Sequence, residues 1–249
     1  MATALACRSP IEALAARVAG YSLLAHAFAY PDAERIAAIR EAGAEFAAMG
    51  LHSPLSGLAR LAMTATPAEM EAEYVRLFTL GSSPDCPTFE TAYFSADATQ
   101  QTTRMADIAG FYRAFGVDAT SGGMRPDDLP VELEFMSFLC QKEAYATEHL
   151  GAPRMKQAAR AQRMFLGEHL GCWGAAFGRR IAPRATPGHF YQLAGLALAE
   201  WIADECALLR VRPEEVTGEP SAVWGEPISH GPEFAGPAML VPLEDIEVQ

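Results

Sequence analysis

The sequence contains no apolar run as long as a membrane span, no paired cysteines and no excess of positive charge. A transmembrane helix needs about 18–20 apolar residues, and every apolar stretch here is shorter. The five cysteines lie far apart and form no C-x-x-C pair, which suits reduced cytosolic thiols better than disulfides or a zinc site. The net charge of −12 makes binding to nucleic acid or an anionic membrane surface unfavourable, but it favours attraction of basic peptides.

Common catalytic motifs are also missing. The chain has no G-x-S-x-G elbow, P-loop, dinucleotide-binding glycine pattern or H-E-x-x-H pair. None of the six histidines follows a glutamate at the i, i+3 spacing that helical di-iron proteins use. These absences favour a protein that is not an enzyme and has no catalytic residue, cofactor or metal. A helical enzyme with an unrecognised carboxylate site is the competing interpretation.

An apolar stretch at residues 18–29 has some features of a secretory signal. Glu12 and Arg17 interrupt the region, however, and no cluster of positive charge precedes it. An amphipathic first helix explains the pattern as well. We therefore expect a soluble protein of the cytoplasm, with no stable membrane insertion.

Apolar residues recur at helical spacing through most of the chain, and no segment alternates as a strand would. Caps and first-turn prolines mark several starts, such as Asp32 and Thr66-Pro67. The predicted helices span about residues 10–30, 32–50, 54–61, 68–80, 100–115, 128–149, 154–170, 172–180 and 187–210. The fold class is therefore all-α, a single compact bundle of about eight or nine helices covering residues 1–210.

Three segments interrupt this pattern. Residues 81–98 form a long connection with at most one short helical turn, and a second loop contains Ser121-Gly122-Gly123. Residues 211–249 carry six prolines, too many for a helix, yet include Trp224, Phe234 and Leu240. We expect an extended, proline-rich C-terminal tail that packs partly on the body.

The segment from Asp127 to Met136 is the richest in chemistry. Its predicted core stripe comprises Leu129, Leu133, Met136 and Cys140. Its acids, namely Asp127, Asp128, Glu132, Glu134 and the later Glu143, fall beside that stripe and not within it. They either cap the helix and solvate an exposed face, or form an acidic rim that receives arginine side chains.

Histidines and the loop cysteine have simpler interpretations. His149, His169 and His189 fall near predicted helix ends, which favours capping or solvent exposure over a ligand role. Cys86 lies in a loop that looks exposed, where a reactive thiol is conceivable. No basic residue lies near it in sequence, so a packing or turn role is favoured.

Three segments together carry a resemblance. They are Glu73-Tyr74-Val75-Arg76-Leu77-Phe78, then Cys86-Pro87-Thr88-Phe89-Glu90-Thr91 with Tyr93, and Arg125-Pro126-Asp127-Asp128-Leu129 leading into Glu132-Leu133-Glu134-Phe135-Met136. Their order and spacing resemble the TorD/DmsD/NarJ family of redox-enzyme maturation chaperones. The loop at Cys86 is most similar to the branch that serves ethylbenzene, dimethylsulfide, selenate or chlorate molybdenum enzymes. Asp128 stands where the family usually has histidine, so a role for that histidine is in doubt here.

The resemblance implies an all-helical cytoplasmic chaperone. Such a protein binds the twin-arginine signal peptide and the apo catalytic subunit of a molybdopterin oxidoreductase, assists cofactor insertion and delays export. Family members exist as monomers or helix-swapped dimers. A permanent helical structural subunit of a redox enzyme complex is the alternative.

The resemblance also implies a client-binding surface, with an apolar groove and an acidic mouth for the arginines. The candidate residues are Tyr74, Leu77, Phe78, Cys86, Pro87, Glu90, Tyr93, Asp127, Asp128, Glu132, Glu134 and Phe135. For Leu77, Phe78 and Phe135 taken singly, core packing is favoured over peptide contact.

Overall fold

The computed structural model describes residues 9–50, 54–79, 86–94, 97–119, 125–217, 219–220 and 240–242. Its α-helices are α1 Pro10–Phe28, α2 Ala33–Ala48, α3 Pro54–Ala62, α4 Pro67–Tyr74, α5 Ala98–Ala114, α6 Leu129–His149, α7 Ala152–Phe165, α8 Gly171–Ile181 and α9 Phe190–Leu209. The π-helical segment Val75–Thr79 continues α4, the π-helical segment Leu166–Leu170 joins α7 to α8, and a 3₁₀ turn spans Glu90–Tyr93. Within the described residues, the predicted all-α class and the predicted eight or nine helices are confirmed.

Local signals set the helix starts. The Thr66 side chain caps α4 and forms a capping box with Glu69, and Pro67 fills the first turn. Asp32 caps α2 by accepting the Arg35 backbone N–H at 2.7 Å. The starts predicted from these residues are therefore confirmed. Among the described residues, none of the helices combines the length and apolar character that crossing a bilayer requires.

The core lies between two helix pairs, α1 along α6 and α8 along α9. Two glycines bring α8 and α9 close together. A Cβ on Gly178 would lie 2.5 Å from the Gly195 carbonyl oxygen, and a Cβ on Gly195 would lie 2.7 Å from the Gly178 carbonyl oxygen. Only glycine fits both positions at this backbone separation. Large buried rings, among them Trp173 and Trp201, fill the space around the pairs.

A buried ion pair crosses the core between α1 and α9. Arg17 Nε and Nη2 both donate to the Glu205 carboxylate, with the shortest contact at 2.7 Å. The Tyr21 hydroxyl donates to the same carboxylate at 2.9 Å. Arg17 is 4% exposed and Glu205 is fully buried. Removing either partner would leave a buried, uncompensated charge.

The expectation of no strands is wrong at one place. β1 Val117–Asp118 pairs antiparallel with β2 Val241–Pro242. The tail also contacts the body where the Val216 N–H donates to the Cys172 carbonyl at 2.9 Å, and Leu240 is buried. These contacts agree with a partly packed tail, while the division at residue 210 stays a prediction. The tail residues Trp224 and Phe234 and the loop at Ser121-Gly122-Gly123 lie outside the described residues.

Candidate functional site

The loop at residues 86–93 is fastened to the start of α6 by backbone hydrogen bonds. Phe89 and Asp128 form an antiparallel bridge. The Glu90 N–H donates to the Asp127 carbonyl at 2.8 Å, and the Leu129 N–H donates to the Thr88 carbonyl at 2.8 Å. Two of the three motif segments thus form one unit, which we call the junction (residues 88–91 and 125–129).

Asp127 is the fully buried anchor of the junction. Its carboxylate receives the Thr91 N–H at 3.1 Å and the Thr91 hydroxyl at 2.6 Å. It also accepts two hydrogen bonds from the Arg125 guanidinium, at 2.8 and 3.0 Å. That guanidinium lies 4.2 Å from the centre of the Phe89 ring. The Asp127 charge is therefore neutralised within the protein.

Asp128 occupies the N-cap position of α6, but its side chain makes no capping hydrogen bond. Its Oδ2 instead accepts the Arg125 backbone N–H at 3.1 Å. Complete burial, followed by the neighbouring Asp127 charge, raises the Asp128 pKa to about 8. The helix N-terminus favours an ionised acid by only about 0.3–1 kcal/mol, so burial prevails and Asp128 is mostly protonated at neutral pH.

Glu132 and Glu90 form a second buried pair, one turn further along α6. The Glu132 Oε2 accepts the Trp173 indole N–H at 3.2 Å. Burial and the Glu90 charge raise the Glu132 pKa well above its usual range, and a hydrogen bond to Glu90 adds to the shift. Glu90 also accepts from Arg104 and lies 3.1 Å from His169 Nδ1. Burial beside the Glu90 carboxylate therefore favours the neutral form of Glu132.

The prediction that the α6 acids lie beside the core stripe at a solvent-facing rim is wrong for Asp127, Asp128 and Glu132. All three are at most 1% exposed. Arg125 pairs with Asp127, and burial raises the pKa of Asp128 and of Glu132, which favours their neutral forms. Glu134 and Glu143 keep intermediate exposure. The core stripe itself is confirmed, since Leu129, Leu133, Met136 and Cys140 are fully buried.

The apolar candidates are mostly core residues. Tyr74 and Phe135 are fully buried and Leu77 is 3% exposed, so the preference for core packing at Leu77 and Phe135 is confirmed. Phe78 is half-buried, with its ring centre 4.9 Å from that of Tyr74. Tyr93 is 7% exposed, and its hydroxyl donates to the carbonyl of the half-buried Pro87 at 2.9 Å.

Cys86 is 1% exposed, so its expected exposure is wrong and the packing interpretation is confirmed. His189 caps α9, accepting the Tyr191 N–H at 3.5 Å, and His149 is exposed in the last turn of α6, both as predicted. His169 is 1% exposed inside a continuous helical stretch, so the expectation of a helix end or an exposed site is wrong there.

A cleft of about 720 Å³ opens beside the junction. It is lined by Thr91, Phe94, Thr99, Gln100, Gln101, Thr103, Arg104, Ala106 and Asp107. The Arg104 guanidinium lies 3.6 Å from the centre of the Phe94 ring at this surface. The sequence analysis did not identify Arg104, Asp107 or Trp173, and it gave His169 a capping or exposed role in place of its buried one. A signal existed for the burial of His169 and Trp173, because Phe165, His169 and Trp173 recur at the four-residue spacing of one helix face.

The π-helical segment Leu166–Leu170 turns His169 inward. A π turn places an i, i−5 hydrogen bond in the helix, here from the Gly171 N–H to the Leu166 carbonyl. A Cβ on Gly171 would lie 2.2 Å from that carbonyl oxygen. The wide turn therefore requires glycine at this position.

Replacing Gly171 by alanine is expected to lower the free energy of unfolding by about 1–3 kcal/mol, because the added methyl group forces the wide turn apart. Urea denaturation at neutral pH measures the change. Gly110→Ala is the matched control, since Gly110 is exposed in α5 with no atom within 4 Å of an added Cβ. That change is expected to add about 0.5–1 kcal/mol. Equal stability of the two variants would contradict the steric account.

Comparison with known proteins identifies the family. The model of a family described as the nitrate reductase delta subunit matches residues 45–179, which include the junction. The chain is 31% identical over 202 residues to the perchlorate reductase assembly chaperone protein of Dechloromonas aromatica, covering 75% of this chain and 87% of that protein. It is 27% identical over 205 residues to the chlorate reductase assembly chaperone protein of Ideonella dechloratans, covering 80% and 93%.

A solved structure shares the fold. It is the crystal structure of a protein from Archaeoglobus fulgidus described as a redox enzyme maturation protein. The two chains are 18% identical, with a TM-score of 0.50 and coverage of 75% of this chain and 93% of the other. The resemblance carried by the three motif segments is confirmed, and the chain belongs to the nitrate reductase delta subunit family.

Proposed function

We propose that this protein is a cytoplasmic assembly chaperone for the catalytic subunit of a molybdenum reductase. The observation that carries the proposal is the match to the perchlorate reductase assembly chaperone over 87% of that protein's length. The chlorate reductase relative supports the same class of client. No relative in this comparison supports the alternative of a permanent structural subunit.

The state of the junction supports a binding role over catalysis. The Asp127 carboxylate accepts its hydrogen bonds from Thr91 and Arg125. Glu132 accepts a hydrogen bond from Trp173 and is hydrogen-bonded to Glu90. These acids hold the loop against α6 and do not face the cleft. We propose accordingly that the protein is not an enzyme and that the buried acids support a docking surface.

We further propose that the client's signal peptide contacts the candidates that keep solvent exposure. Phe78 and Pro87 belong to one apolar region, because the ring centres of Phe78 and Tyr93 each lie 6.3 Å from that of Phe177, and Tyr93 bonds Pro87. Glu134 is the half-buried acid among the candidates. The buried candidates position this surface without touching the peptide.

The client is expected to depend on this protein. In the native host, the tagged protein should retain an immature reductase catalytic subunit, and deletion of its gene should lower that subunit's molybdenum content and activity at least tenfold. The activity of a molybdenum enzyme that does not copurify is the control. Full activity after deletion would overturn the proposal. Copurification with the mature enzyme in fixed stoichiometry would support the structural-subunit alternative instead.

Peptide recognition has its own measurement. Titration calorimetry should detect binding of the client's twin-arginine signal peptide, and replacing both arginines by lysine should weaken it at least tenfold, because lysine cannot form the bidentate contact. Glu134→Gln should also weaken binding, and more so at low salt. Glu148→Gln, at an exposed acid near the other end of α6, is the control and should bind as wild type.

A further inference from the structure

We propose that His169, Asp107 and Glu168 bind a divalent transition metal ion at the edge of the cleft. One ligand atom from each residue lies within 4.8 Å of those of the other two. The His169 side chain is 2% exposed, whereas Asp107 is 63% exposed and lines the cleft. The site therefore joins a buried nitrogen to two carboxylates that solvent reaches, and this role lies outside the proposed chaperone function.

The partner on the other side of the imidazole fixes its orientation. His169 Nδ1 lies 3.1 Å from Glu90 Oε1, and Arg104 also donates to that carboxylate. When the Nδ1–H of the neutral imidazole donates a hydrogen bond to Glu90, Nε2 is the ring nitrogen that carries the free lone pair. Ligating histidines usually make this kind of carboxylate contact, which directs the free nitrogen toward the metal.

The free nitrogen points at a carboxylate that cannot donate to it. His169 Nε2 is buried, makes no hydrogen bond among the described residues, and lies 3.3 Å from Asp107 Oδ2. Two lone-pair acceptors at this distance repel each other unless a cation or a proton lies between them. Glu168 adds a second carboxylate at the same point.

The donor set favours a transition metal over calcium or magnesium. Hard cations prefer oxygen ligands throughout, whereas Zn²⁺ readily takes one imidazole and two carboxylates and leaves a fourth position for water or a client group. Among the described residues that line the cleft, Arg104 is the cation, and it is paired with Glu90. The cleft supplies the entry path.

Zinc binding to untagged, chelator-stripped protein tests the site. Competition with a chromophoric chelator should show one equivalent of Zn²⁺ bound with a micromolar or lower Kd. Asp107→Asn and Glu168→Gln should each weaken binding at least tenfold. Both residues are exposed, so these variants should fold, and thermal unfolding without metal checks that they do. Glu200→Gln, an exposed acid on α9, is the control and should bind as wild type.

Three outcomes of the binding measurements would overturn the proposal. The first is the absence of stoichiometric zinc binding, the second is binding that Asp107→Asn and Glu168→Gln leave unchanged, and the third is binding that thiol alkylation abolishes. Nitrogen-15 NMR of the imidazole supplies a further readout. Nε2 should shift on addition of zinc, whereas an imidazole carrying protons on both nitrogens that ignores zinc would show that a proton separates the acceptors.

Discussion

Replacing Arg17 by methionine is expected to lower the free energy of unfolding by about 3–5 kcal/mol. The change leaves the Glu205 carboxylate in the core between α1 and α9. Of its two donors, Arg17 and Tyr21, the carboxylate keeps the Tyr21 hydroxyl. Burial of an ion without its counterion costs far more than loss of the methylene contacts, which methionine largely replaces. Urea denaturation at neutral pH measures the difference.

The matched double variant separates charge from packing. Adding Glu205→Met to Arg17→Met removes the stranded carboxylate, and the pair of apolar side chains is expected to recover more than half of the lost stability. Arg154→Met, at an exposed position of α7, should stay within about 0.5 kcal/mol of wild type. If Arg17→Met alone lowered the free energy of unfolding by less than about 1 kcal/mol, the Arg17–Glu205 ion pair would not be needed for stability.

The second large effect concerns Asp128 and pH. Its pKa is about 8 in the folded protein against 3.8 in an unfolded chain, so the folded state keeps a proton that the unfolded state releases. The unfolding free energy should therefore fall as pH rises from about 4 to about 8, and for this group the total is on the order of 5 kcal/mol.

Asp128→Asn should remove this contribution. The asparagine stays neutral at every pH, and its oxygen can accept the Arg125 backbone N–H as Asp128 does. The variant is expected to be more stable than wild type at pH 8 and similar to it near pH 4. Denaturation across this range measures both slopes, with Glu148→Gln as the exposed control. Parallel slopes for Asp128→Asn and wild type would show that Asp128 ionises normally in the folded protein.

Most helices could be predicted because their signals are local. Asp32 and Thr66 begin helices by contacts to residues three positions away, and the apolar period of α6 is visible in one stretch of sequence. The β1–β2 pairing could not be predicted, since Val117 and Pro242 are distant in sequence and each strand is too short to show a pattern.

The sequence predicts candidate residues for the site, which stay a prediction, but it does not predict how those residues are arranged. A helical wheel places Glu132 beside the core stripe. The local sequence does not show that Trp173 and Glu90, which are distant in sequence, contact Glu132 in the fold. The burial of Asp127 could not be predicted either, because its partner Thr91 belongs to a loop 36 residues earlier. Acids that would suit a solvated face became buried through partners that only the tertiary fold supplies.

The wide turn at Leu166–Leu170 also bears on how relatives are aligned. A π turn holds one residue more than the α turn it replaces, so it is the natural product of a single-codon insertion into an uninterrupted helix. A homologue without that codon would show a one-residue gap here and present a different side chain inward at the position of His169. In an alignment, a one-residue gap within this stretch therefore distinguishes relatives that lack the buried imidazole from those that can have it.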